Sequence, residues 1–131
     1  MNRMHWIGKH VLAKDPVWGT YIGELVEVSD RLAKVKIYAV RKCPTQGDLE
    51  HPHWLPFWES RQPLEYGKVH EFAKDSIELY EDEVPPYLTS LVAAMDREIE
   101  SLYNMKRWVE RNLEEYFRQK AEVVGRSAAN L

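Results

Sequence analysis

Ala33-Lys34-Val35-Lys36-Ile37-Tyr38-Ala39-Val40 decides the fold: Ala33, Val35, Ile37 and Ala39 alternate with Lys34, Lys36, Tyr38 and Val40. A period of two predicts a strand with Val35, Ile37 and Ala39 facing a core and the other face largely wet. Upstream, Ser29-Asp30-Arg31 reads as a hairpin turn, and residues 18–28 read as a longer strand. Gly19 and Gly23 inside that strand predict a bulge or a sharp bend, because glycine adds nothing to pleat packing but permits unusual dihedrals. Residues 9–13 form a first strand, ended by the turn signal Asp15-Pro16. Downstream, residues 41–56 read as loop, broken by Pro44, Gly47 and Pro52. Residues 57–58, 64–69 and 76–80 read as short strands, with Pro63 fixing a turn or an edge. Many short strands joined by turns argue for a small antiparallel SH3-like β-barrel or curled sheet over residues 1–82.

Residues 83–131 are different, which makes the chain α+β with an extended C-terminal helical region. Pro85-Pro86 suits the first turn of a helix, where no backbone N–H is needed. No Gly or Pro occurs after them until Gly125, so the helix is expected to run from Tyr87 to about Glu122, with Gly125 just past its end. Leu88, Met95, Ile99, Leu102, Val109, Leu113 and Phe117 recur at helical spacing, and charges fill the other side. All seven are expected to be buried, partly against another subunit. Such a helix would run roughly 52 Å, against a radius of gyration of about 14 Å for a compact domain of this length. It must therefore break, project or pack on another chain. Tyr103-Asn104-Met105 is its weakest stretch by propensity.

Composition narrows the classes. The chain has 131 residues, 30% of them charged, with a formal net charge of −3. Its aliphatic runs are far short of the roughly 20 residues of a membrane span. The N-terminus has no apolar stretch of the kind a signal peptide requires. Cys43 is the single cysteine, so an internal disulfide is excluded. A cytoplasmic protein, reaching a membrane only through a partner, is the expectation. The charge is graded: residues 1–42 carry eight Lys/Arg and four Asp/Glu, whereas residues 43–83 carry three and ten. One basic and one acidic surface would each suit a charged protein partner.

The search for chemistry predicts no catalytic residue, cofactor or metal. Cys43, Asp48, His51 and His53 are close in sequence, but zinc sites show ligand pairs such as C-x-x-C, and His-Pro-His is not one. The six glycines are scattered singly, so no phosphate loop exists. Nucleic acid is the rival partner class, since residues 1–42 are basic with Trp6, Trp18 and Tyr38 interleaved. A pI near 6.0 disfavours it. Trp54-Leu55-Pro56-Phe57-Trp58 reads either as a plug closing one end of the barrel or as an aromatic ledge for a partner, with Trp54, Phe57 and Trp58 as anchors and Glu59 and Arg61 at the rim.

Gly19-Thr20-Tyr21-Ile22-Gly23-Glu24, Pro44-Thr45-Gln46-Gly47-Asp48-Leu49, Pro56-Phe57-Trp58-Glu59-Ser60-Arg61 and Glu83-Val84-Pro85-Pro86-Tyr87, in this order and spacing, resemble the kinase-associated protein B (KapB) family of spore-forming bacilli. The resemblance covers Val17 to Phe117. It implies an antiparallel β domain with a helical extension. It also implies a regulatory, non-enzymatic role beside a sensor histidine kinase, or a membrane protein associated with one, feeding the sporulation phosphorelay. A homodimer through the C-terminal helix is the further expectation. Phe57-Trp58 stands where the family often has Phe-Phe. Some members are called lipoproteins, and no lipid site is legible in this sequence. The resemblance carries over no catalytic or binding positions.

Overall fold

The structure, a computed structural model, describes residues 3–46 and 61–129. Its sheet contains β1 (His10–Asp15), β2 (Gly19–Val28), β3 (Leu32–Lys42), β4 (Val69–Ala73) and β5 (Ile77–Leu79), followed by α1 (Tyr87–Ala129). The strands pair antiparallel in the order β4-β3-β2-β1-β5. The sheet curls without closing, because β4 and β5 remain its two edges. This is the α+β architecture expected: a curled antiparallel sheet, then a helical region.

The alternation in β3 builds the core. Ala33, Val35 and Ile37 are fully buried against Val11 and Ala13 of β1, Tyr21 and Leu25 of β2, Phe72 of β4 and Ile77 of β5. Lys34 and Lys36 point away from it. The alternation then breaks. Gly23 pairs with Ile37 and Ile22 with Ala39, so Tyr38 is an extra residue in β3. Such a bulge flips the parity of the residues beyond it. Val40, expected on the wet face, joins the core cluster, while Ala39 is buried outside that cluster. Gly23 lies at the same irregularity, and a Cβ there would stand 2.2 Å from the Lys36 carbonyl oxygen. The irregularity expected at Gly23 is thus present, with the extra residue in the facing strand β3 and the two backbones in close approach.

Two strand expectations need correction. Of residues 64–69 only Val69 is in a strand. Residues 64–68 form a turn in which Gly67 takes φ +82°, and β4 continues to Ala73 instead. Leu64 nevertheless packs in the core cluster, and its N–H donates to the Tyr21 hydroxyl at 3.1 Å. The strand expected at residues 57–58 lies outside the described residues.

The chain divides into two compact units, residues 1–96 and 97–131. In the first, the opening turns of α1 pack on the sheet through Tyr87, Ser90, Leu91, Ala94 and Met95. Ser90 Oγ accepts from Val40 N at 2.9 Å and donates to the Tyr87 carbonyl at 2.7 Å. Leu88, expected to be buried, is 72% exposed because it stands one residue off that stripe. In the second unit the helix runs without interruption through Tyr103-Asn104-Met105 and through Gly125. Ile99, Leu102, Leu113 and Phe117 are exposed in the single chain, and Val109 is half-buried, so their expected burial would have to come from another subunit.

Candidate functional site

Trp54, Phe57, Trp58 and Glu59 lie outside the described residues, as do Asp48, His51 and His53. Arg61 is described. Its Nη1 donates to the Thr45 carbonyl at 3.0 Å, and its own carbonyl accepts from Gln46 Nε2 at 2.9 Å. Thr45 in turn is tied to the β1–β2 turn, its N–H donating to the Val17 carbonyl at 2.9 Å and its Oγ1 to the Pro16 carbonyl at 3.1 Å. Arg61 therefore fastens the two flanks of residues 47–60 to each other and to the sheet.

Beside this junction lies a titratable pair. Asp15 Oδ1 accepts from Val17 N at 2.8 Å and Trp18 N at 3.0 Å, and His70 Nε2 donates to Oδ2 at 3.2 Å. Burial alone would raise the Asp15 pKa. The backbone N–H groups of Trp18 and Val17, and then His70, outweigh it and hold the carboxyl below its ordinary value. The His70 ring is flanked edge-on by Phe72 at 4.8 Å and Trp18 at 6.4 Å. A carboxylate and an imidazole in contact could orient a base. Here both carboxylate oxygens are spent on the turn and on β4, so the pair pins two elements together. Next to it a cavity of about 310 Å³ is lined by Lys14, Gly19, Lys42, Cys43 and Thr45 among others. Cys43 itself is buried.

The opposite side of β3 carries a feature that sequence reasoning missed. The His10 and Tyr38 rings stand edge to face at 5.9 Å, Tyr38 and Tyr66 lie 5.8 Å apart, and Tyr66 and Tyr87 lie 6.1 Å apart. All four line an open groove of about 440 Å³ with Lys36, Val84, Pro85 and Pro86. Tyr38 Oη donates to Glu24 Oε1 at 2.8 Å, and Tyr87 Oη donates to the Leu64 carbonyl at 2.6 Å. Tyr38 is the bulged residue, so the irregularity in β3 coincides with the groove. One signal was readable: a tyrosine among the lysines of the wet face.

Residues 97–129, taken by themselves, form a helix with a regular seam. Ile99, Leu102, Lys106, Val109, Leu113, Tyr116, Lys120 and Val123 recur at alternating steps of three and four. That is the a/d pattern of a coiled coil, with Lys106 and Lys120 at a positions. Apart from Val109, the seam's apolar residues are exposed.

Among the described residues, no group of three or more His, Cys, Asp or Glu side chains could hold a metal ion. Nor is any helix among them long and apolar enough to cross a membrane.

Comparison with known proteins fits this architecture. The family profile described as "Kinase associated protein B" matches residues 17–123. The kinase-associated lipoprotein B of Bacillus subtilis (strain 168) is 39% identical over 75 residues, which make up 56% of this chain. The match spans 59% of that relative's length. The crystal structure of kinase-associated protein B from Bacillus cereus superposes with a TM-score of 0.61 at 27% identity, covering 74% of this chain and 76% of that one. With most of its length matched by the profile and its fold shared with a solved member, this chain belongs to the kinase-associated protein B family.

Proposed function

We propose that this chain is a non-enzymatic regulatory protein that binds a sensor histidine kinase, or a membrane protein associated with one, in the sporulation phosphorelay. The family match across residues 17–123 carries this reading. The chain works in the cytoplasm and reaches the membrane only through its partner. The sheet, residues 1–82, presents residues 47–60 as the docking segment, with Trp54, Phe57 and Trp58 as anchors and Glu59 beside them. Arg61 stands at the rim with Glu59, and its hydrogen bond to the Thr45 carbonyl supports a fixed place for it there. Aromatic anchors carry most of the energy at such interfaces. The helical region, residues 83–131, brings two copies together along its exposed seam.

The test is capture with the tagged full chain from a sporulating host. A histidine kinase should be recovered with the native chain. Trp58→Ala should lose that recovery while melting like the native protein, with a binding cost of about 2 kcal/mol or more. A variant that loses about 3–5 kcal/mol of stability yet recovers the kinase in full would make Trp58 a core residue and overturn the ledge. Salt-sensitive binding to generic DNA with no kinase recovered would overturn the whole reading in favour of a nucleic-acid-binding barrel.

A further inference from the structure

We propose that the groove lined by His10, Tyr38, Tyr66 and Tyr87 binds an extended proline-rich peptide segment carrying a basic residue beside its prolines. None of the lining residues named belongs to residues 47–60, and the inference does not rest on the kinase association.

Four observations carry it. First, the rings succeed one another at 5.9, 5.8 and 6.1 Å along an open groove. A polyproline II helix advances about 3.1 Å per residue, so neighbouring rings about 6 Å apart match a spacing of two of its residues. Rigid, apolar proline rings packing between aromatic rings is a recurrent mode of peptide recognition. Second, the walls are set in advance. Tyr38 is held by Glu24 and Tyr87 by the Leu64 carbonyl. The turn bearing Tyr66 is tied to β3 by Gly67 N donating to the Ile37 carbonyl at 2.7 Å. Little side-chain freedom is left to lose on binding. Tyr66, between the two anchored tyrosines, is 63% exposed and available to a ligand.

Third, the chain's own Val84-Pro85-Pro86 forms one wall of the groove. Prolines fix φ and push their predecessor to extended geometry, so this wall already presents an extended proline segment to the groove that Tyr66 and Tyr87 also line. A second proline segment would meet the same chemistry. Fourth, the charge around the groove suits a basic partner. Glu24 stands at Tyr38, and Glu65 lies close enough to Tyr87 for its charge to act on that phenol. Lys36, the cross-strand partner of Glu24, is the one lysine lining the groove. Lys36 is balanced by Glu24 across the strands, which leaves the Glu65 carboxylate near Tyr87 to favour an arginine or lysine on the ligand. This balance disfavours a phosphate backbone, which needs a cationic excess.

The probe is a synthetic ten-residue peptide of prolines and leucines with one arginine, titrated into the purified full chain by NMR. Saturable shifts at Lys36, Tyr38, Gly67 and Tyr87 should appear below about 1 mM. Tyr66→Ala, which removes an exposed ring, should weaken binding about tenfold at an unchanged melting temperature. Glu24→Gln keeps an acceptor for the Tyr38 hydroxyl but loses the charge. It should weaken the arginine peptide and abolish its salt dependence, yet leave a peptide without arginine unaffected. Equal binding of a peptide with every proline replaced by alanine would overturn the proposal. So would shifts confined to other surfaces, no saturation by about 1 mM, or preferential binding of single-stranded oligo-dT in the groove.

Discussion

Asp15 and Tyr21 show how single polar groups hold this sheet. Asp15 accepts from two turn N–H groups and from His70, so its charged form is favoured in the native state. Its pKa lies below the ordinary 3.8. The stability it supplies is therefore present above that value and is lost as pH falls through the lower, native-state value. Urea melts of the native protein and Asp15→Asn should differ at about pH 6 and converge by about pH 2 to 3. Tyr21 is fully buried, and its hydroxyl donates to the Trp18 carbonyl and accepts from Leu64 N. Burial drives its phenol pKa upward, so it stays protonated and can keep donating. Tyr21→Phe leaves the Leu64 N–H without that acceptor and should cost about 1–3 kcal/mol in a chemical melt, with the fold retained.

At the scale of elements, the β2–β3 pair contains the departure from regularity that matters most. The strand, its facing residues Val35 and Ile37 and the hairpin before it were legible, because a period of two over a lysine-lined face leaves little choice. Val40 in the core was not legible, because an inserted residue changes parity without changing composition. Gly23→Ala would drive a Cβ into the Lys36 carbonyl and the Val35 side chain. It should destabilise by about 1–3 kcal/mol or more by thermal melt. Gly125→Ala is the opposite case. Its site inside α1 is open, so the change should raise helix stability by about 0.5–1 kcal/mol, read as increased helical ellipticity on heating. The inner stripe of α1 was misread for a related reason. Ser90 and Ala94 pack because they are small and allow a close approach, whereas a search for large apolar side chains picks Leu88.

At the scale of the molecule, most of the fold was readable and the aromatic groove was not. His10, Tyr38, Tyr66 and Tyr87 come from four separated segments, and only the curl of the sheet brings them together. The helix stripe, by contrast, is local and periodic, so Ile99, Leu102, Val109 and Leu113 were legible on it, whereas Lys106, Lys120 and Val123 were not. Exposed seams of this length favour association. Sedimentation should show a dimer at roughly tens of micromolar, and Leu102→Glu with Leu113→Glu should give a monomer whose sheet melts as before. A native monomer at that concentration would overturn the pairing. Lys106 and Lys120 add a finer readout. In a parallel, in-register pair each meets its own copy, so added salt should then strengthen the dimer by screening the repulsion, whereas other registers predict no such gain.

The strand order β4-β3-β2-β1-β5 also bears on how the chain is made. β1, β2 and β3 are joined by short turns and can pair as soon as they leave the ribosome. The outer edge of β1 must wait, because Val11 pairs with Leu79 and Ala13 with Ile77. Until β5 has been synthesised, the nascent protein carries an uncovered row of N–H and C=O groups beside an apolar strand, the arrangement that invites edge-to-edge aggregation. Chains that stop short of Leu79 should therefore accumulate in inclusion bodies rather than as small soluble sheets, while loss of α1's distal turns leaves that edge protected.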